Sequence, residues 1–192
     1  LADVKTSGAV FDFLGDSGII HPTGHSLIKK KMIENKEIAL ACEASGHFIF
    51  RDIGFDDGIY AAIKFLSILD GRCINEMLKT MPTLYITPEI KIKSFRSTQA
   101  IDLIKKKLEH DGLKFLSIDG VRVNITDHNQ NNSLSTRNWW LARYSNTEDY
   151  IIVRCEGQDA TSLKKSISNL LGYLNLVNLT LDENIILKSL KF

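Results

Sequence analysis

Two of the chain's three prolines, Pro82 and Pro88, fall within one short stretch, and the hydrophobic pattern changes across it. Proline gives no backbone N–H and pushes the residue before it out of helix, so such a stretch ends regular structure on both sides. Before it, Ile38, Leu40 and Cys42 alternate with Ala39 and Ala41, which predicts a buried strand. Phe48 and Phe50 mark a second strand. Ser26 to Asn35 carries Leu27, Ile28 and Met32 at helical spacing, with Thr23 or His25 near the expected cap. Phe55-Asp56-Asp57-Gly58 opens a helix running to about Leu69, with Ile59, Ala62, Ile63, Leu66 and Leu69 expected inward. After the prolines, Ile90 and Ile92 predict a strand, and Ile101, Ile104 and Leu108 predict a helix from about Thr98 to Glu109. A hairpin turns at Asp119-Gly120. A polar loop from Asp127 to Ser135, strands at Trp139–Arg143 and Tyr150–Cys155, and a helix at about Thr161–Leu174 complete the pattern. Two domains are therefore expected. Residues 1–82 form an α/β unit, and residues 86–192 form an α+β unit of antiparallel sheet and two helices.

Composition narrows the function classes. Lys and Arg total 24 against 23 Asp and Glu, a net charge of +1, so no basic face calls for nucleic acid. No apolar run approaches a membrane span, so no membrane partner is expected. Cys42, Cys73 and Cys155 are scattered with no metal-binding spacing and read as free thiols of a reducing compartment. The opening residues lack a basic segment followed by an apolar one, so the cytosol is the expected location.

Two constellations carry chemistry. Arg143-Tyr144-Ser145-Asn146-Thr147-Glu148 sits on a strand exit and gathers a guanidinium, hydroxyls and a carboxamide, with Arg154 following on the next strand. An arginine holds two phosphate oxygens at once, and hydroxyls and backbone N–H groups fill the remaining lone pairs. Those residue types are also ordinary turn formers. Glu43, Ser45 and His47 follow a buried strand at alternate positions. A carboxylate and a hydroxyl on one loop suit vicinal hydroxyls, and they also suit a satisfied polar turn with a local histidine. His25, after Thr23-Gly24, stands in the same position. Asp56 and Asp57 read as charges at a helix start, since adjacent carboxylates point apart. Trp139-Trp140 would set one indole on each sheet face, one in the core and one making an edge contact.

Taken together, Asp3-Val4-Lys5, the string from Thr23 to Met32 (TGHSLIKKKM), Glu43-Ala44-Ser45-Gly46-His47, Phe55-Asp56-Asp57-Gly58-Ile59-Tyr60, Asp119-Gly120-Val121-Arg122-Val123 and Arg143-Tyr144-Ser145-Asn146-Thr147 resemble the α-D-phosphohexomutase family. The similarity lies with its bacterial phosphomannomutase/phosphoglucomutase branch and holds in order across nearly the whole chain. It implies the last two of four domains: a third α/β domain of mixed sheet and helices, clipped at its start, then a TATA-box-binding-protein-like C-terminal domain.

The resemblance also implies roles. Arg143, Ser145, Asn146 and Thr147 would form the phosphate loop, supported by Arg154. Glu43 and Ser45 would hold sugar hydroxyls, His25 and Lys5 would line the cleft, and His47 would be a proton carrier. The ligand would be mannose or glucose 1- or 6-phosphate. No metal ligand is expected within this chain. The family's magnesium loop and phosphoserine lie in its first two domains, and no serine of this sequence precedes His-Asn-Pro. The chain alone is therefore expected not to interconvert hexose phosphates. It would act with an N-terminal half carrying the phosphoserine, or serve as a non-catalytic sugar-phosphate-binding remnant. Two departures stand out. Ala41 and Cys42 replace the usual Gly-Gly before the glutamate, and Glu148-Asp149 replaces a proline after the phosphate loop.

Overall fold

The structure, a computed structural model, describes residues 1–125, 137–145, 148–181 and 186. The predicted polar loop from Asp127 to Ser135 lies outside them. The chain divides into two compact units, Leu1–Thr6 with Asp16–Thr83, and Ser7–Gly15 with Leu84–Phe192. In chain order the elements are β1 (Ala2–Asp3), α1 (Gly8–Leu14), a 3-10 turn (Gly15–Ser17), β2 (Ile20–His21), α2 (His25–Glu34), β3 (Leu40–Cys42), β4 (Phe48–Phe50), α3 (Gly58–Leu69), α4 (Ile74–Thr80), β5 (Tyr85–Ile86), β6 (Ile90–Lys93), α5 (Ser97–His110), β7 (Phe115–Leu116), β8 (Val121–Asn124), β9 (Trp139–Tyr144), β10 (Tyr150–Gly157) and α6 (Ala160–Leu176). No helix among the described residues is long and apolar enough to cross a membrane.

The first unit holds a four-stranded sheet in the order β2-β1-β3-β4. β1 runs parallel to both β2 and β3, with Asp3 opposite His21 and Ala2 opposite Ile20 and Cys42. β3 and β4 form an antiparallel hairpin. Three strands thus end on the same side, and the segments after Asp3, His21 and Cys42 emerge together. α2 buries Ile28 and Met32 against Leu1, Ile38, Ala41 and Ile49. Arg51 ties the end of α2 to the following segment: Nη2 donates to Met32 O (2.8 Å) and Asn35 O (2.7 Å), and Nε donates to Ile38 O (2.7 Å).

The expected inward stripe of α3 fails in this unit, and β3 buries one face only. Ala41, not Leu40, faces the core: Ala41 is fully buried and Leu40 is 39% exposed. The single helix α2 supplies the cover, so the strand turns its small residue toward it. The β3–β4 register puts Leu40 with Phe50 and Cys42 with Phe48 on the opposite face. α3 has no buried residue, and Ile59, Ile63 and Leu66 are exposed. The helix is held instead by its start. Asp57 caps Tyr60 N at 2.9 Å, and Tyr60 meets Phe50 edge-on at 5.1 Å.

In the second unit every strand pairing is antiparallel, in the order β5-β10-β9-β8-β7 with β6 also on β10. α5 places Ile101, Ile104 and Leu108, and α6 places Leu163, Ile167, Leu170 and Leu174, against Val121, Val123, Trp140, Ala142, Ile151 and Val153. Asp159 caps α6 through Ser162 N at 2.7 Å. The other face of the sheet mixes charged and apolar side chains. Register sets Arg122 and Arg154 opposite Leu141, Glu156 opposite Trp139, and Ile152 opposite Arg143. Both tryptophans are fully buried, so the expected edge contact is not made. The reason is α1, which covers Trp139. Trp139 Nε1 donates to Glu156 (3.0 Å), as do Ser7 Oγ (2.9 Å) and Gly8 N (3.2 Å). The Arg122 guanidinium lies 3.9 Å from the Trp139 ring centroid and 5.9 Å from that of Phe11.

Candidate functional site

The parallel strands of the first unit deliver their following segments to one edge, which is where open α/β sheets bind ligands. Glu43, the first residue after β3, is largely buried. Its Oε1 accepts from Gly24 N at 3.0 Å, while Oε2 lies 3.7 Å from His47 Nδ1. Ser45 Oγ lies 2.8 Å from the same nitrogen. The Glu43–His47 turn closes on itself, with Glu43 N donating to His47 O (3.0 Å) and Gly46 N to Glu43 O (2.9 Å). His47 Nε2 faces Asp56 at 3.9 Å, and the His25 ring sits 6.5 Å from that of His47. Lys5 is buried, with Nζ 3.8 Å from Asp3. Five candidates from the sequence, Lys5, His25, Glu43, Ser45 and His47, therefore meet at one edge of one sheet.

Ala41 packs into the core, so its methyl occupies the hydrophobic layer rather than the loop. Burial is the main effect raising the Cys42 thiol above its ordinary range. The Asp3 and Glu43 carboxylates add to it. A raised thiol disfavours the thiolate form of Cys42.

In the second unit Arg143 is the last residue but one of β9 and is buried. Its Nε donates to Asp119 Oδ2 at 2.9 Å, which fixes the plane of the guanidinium. Ser145 follows and is tied by its backbone to Tyr150 O at 2.8 Å. Arg154 shares a sheet face with Arg143, and its Nε donates to Thr87 O at 3.2 Å. Glu148 accepts from Lys91 Nζ at 3.0 Å, so this extra carboxylate has a cation of its own. Asn146 and Thr147, the remaining members of the predicted loop, lie outside the described residues.

Sequence reasoning missed three carboxylates. Asp3 is fully buried, Asp56 faces His47, and Asp119 holds Arg143. Asp119 was hidden by its turn partner Gly120, and Asp56 by its place at a helix start. A signal for Asp3 did exist, since a carboxylate closing an apolar strand rarely lacks partners.

The family resemblance implies magnesium. Among the described residues no three His, Cys, Asp or Glu side chains converge to hold an ion, so those residues do not fit it and no step here runs through it.

Comparison with known proteins agrees with this anatomy. Residues 1–85 match the family model for phosphoglucomutase/phosphomannomutase, alpha/beta/alpha domain III, and residues 89–168 match the phosphoglucomutase/phosphomannomutase C-terminal domain. A phosphomannomutase/phosphoglucomutase of Pseudomonas syringae pv. tomato is 34% identical over 172 residues, covering 85% of this chain and 35% of that protein. A phosphoglucomutase of Neisseria meningitidis serogroup A is 31% identical over 173 residues, with the same coverage. A solved phosphoglucomutase/phosphomannomutase family protein from Burkholderia thailandensis superposes with a TM-score of 0.76 at 30% identity, over 92% of this chain and 37% of that one. The chain thus spans about a third of the length of these relatives. It belongs to the phosphoglucomutase/phosphomannomutase family, of which it carries domain III and the C-terminal domain.

Proposed function

We propose that this chain is the recognition half of a hexose-phosphate phosphomutase, whose reaction moves a phosphoryl group between the 1- and 6-positions. In this reading the first unit takes the sugar. Glu43 has spent one oxygen on Gly24 N, and its other oxygen and Ser45 receive two neighbouring hydroxyls. His47, set between Ser45 and Asp56, carries the proton of the reacting hydroxyl. His25 and Lys5 line the same edge. The second unit takes the phosphate through Arg143, Ser145, Asn146 and Thr147, with Arg154 behind them. The phosphoserine and the magnesium loop belong to an N-terminal half, so the chain alone binds mannose or glucose phosphate without turning it over. The observation that carries the reading is the grouping of Glu43, Ser45 and His47 in the turn after β3, with Gly24 N held by Glu43.

Binding is therefore the test. Arg143→Lys keeps a cation for Asp119 but loses the planar fork. Titration calorimetry with mannose 6-phosphate and glucose 6-phosphate should show affinity falling at least roughly tenfold, the loss of one charge-assisted hydrogen bond. Equal affinity in both proteins would show that Arg143 does not hold the phosphate.

A further inference from the structure

The first unit contains a carboxylate that the functional reading leaves unused. Asp3 is fully buried at the end of β1, and four groups from three separate segments converge on it. Thr6 Oγ1 donates to Oδ1 at 2.8 Å, from the segment just after β1. Ala44 N donates to the same oxygen at 3.3 Å, from the β3–β4 turn. Thr23 Oγ1 reaches Oδ2 at 3.5 Å, from the segment between β2 and α2. Lys5 Nζ lies 3.8 Å from that oxygen. Thr23 precedes Gly24, whose N–H holds Glu43, and Ala44 follows Glu43. Asp3 thus flanks the Gly24–Glu43 hydrogen bond on both sides, through Thr23 and Ala44.

We propose that Asp3 is the positioning residue of the hydroxyl-binding turn. Through Thr23 and Ala44 it fixes the distance between Gly24 N and the Glu43 carboxylate, and so decides which Glu43 oxygen faces a ligand hydroxyl. The same carboxylate holds Lys5 at that edge. The proposal rests on the sugar-binding reading for its consequence and on geometry alone for the coupling. A bidentate buried acceptor is well suited to the task. It closes one ring of hydrogen bonds across three loops that the short strands, of two or three residues each, could not align by themselves.

The experiment is Asp3→Asn in the full chain. The amide keeps the shape but turns one acceptor into a donor, so one pair of partners, Thr6 with Ala44 or Thr23 with Lys5, loses its oxygen. In 1H–15N spectra the Gly24 and Glu43 amide signals should move, carried by the Thr23 and Ala44 hydrogen bonds. Mannose 6-phosphate and glucose 6-phosphate should bind roughly tenfold more weakly, while inorganic phosphate binds as before. A folded variant with Gly24 and Glu43 signals in place overturns the proposal. Equal weakening of sugar phosphate and inorganic phosphate also overturns it, since that marks general loosening. If Asp3→Asn does not fold, Thr23→Val serves instead. It should shift the Ala44 amide, which Thr23 meets through Asp3, and an unmoved Ala44 signal counts against the coupling. If the wild-type chain takes up neither sugar phosphate, the functional reading falls, and the amide signals still decide the positioning role.

Discussion

Gly120 bears directly on where Arg143 stands. Its φ is +81°, and a Cβ built there would lie 2.3 Å from Ala142 O and 2.6 Å from Arg143 Cα. Both are backbone atoms of the neighbouring strand, so nothing flexible can yield. Gly112, in the same unit at φ +68°, has open space around its would-be Cβ. The pair separates two costs. Gly112→Ala should lose only the left-handed backbone preference, about 1–2 kcal/mol. Gly120→Ala adds overpacking of about 1–3 kcal/mol on top of that. Urea unfolding checks the difference, and equal costs would mean that the strands are not packed so closely. At this scale, what was legible was local. Arg143, Glu43, Ser45 and His47 stand out because several chemically useful residues crowd one short stretch. Asp3 did not stand out, because its partners lie up to 41 positions away, and Asp119 meets Arg143 across 24. A residue pattern shows what a side chain can do, but the partner that holds it is set by topology.

α3 and α5 show what helical periodicity does and does not contain. Both carry an apolar stripe. In α5 the stripe is buried, with Ile101 and Ile104 each 1% exposed. In α3 the corresponding Ile59 and Ile63 are 77% and 59% exposed. Spacing identifies a face, but only the sheet's layers determine whether something lies against it. The prediction belongs to these elements. Ile63→Lys should change stability by no more than about 0.5 kcal/mol, as exposed substitutions usually do. Ile28→Ala in α2 of the same unit empties a packed site (1% exposed) and should cost about 2–5 kcal/mol. Chemical denaturation of both variants is the measurement, and a loss at Ile63 comparable to that at Ile28 would show a covered α3. The second unit was far more readable from sequence. Its strands are longer, and both of its helices face one sheet, so their periods coincide with burial.

At the scale of the whole molecule the chain leaves the first unit after Thr6, lays Ser7–Gly15 on the second, and returns at Asp16. The apolar run at residues 8–14 announces a buried face. It says nothing of the sheet that face covers, since Ser7 meets Glu156 across 149 positions. That contact gives the second unit a buried titrating group. Burial is the main influence raising the Glu156 carboxyl above its ordinary 4.5, against the lowering effects of Ser7, Gly8, Arg122 and Trp139. With the folded value above the unfolded one, the folded protein binds more protons in the interval between them. Stability contributed by Glu156 is therefore complete below 4.5 and is lost as pH rises through the raised value. Asp111 and Asp159 act in the opposite sense. Hydrogen bonds, from Lys107 to Asp111 and from the Ser162 amide to Asp159, lower both carboxyls, so their contribution is lost as pH falls. A single melting curve against pH mixes the two trends, whereas a difference curve does not. Glu156→Gln keeps an acceptor for the α1 start and removes the titration. Urea midpoints of wild type and variant, taken from about pH 4 to about pH 7, should diverge, with the wild type losing ground to the variant as pH rises. Parallel curves would mean that Glu156 ionises under α1 as easily as in the unfolded chain.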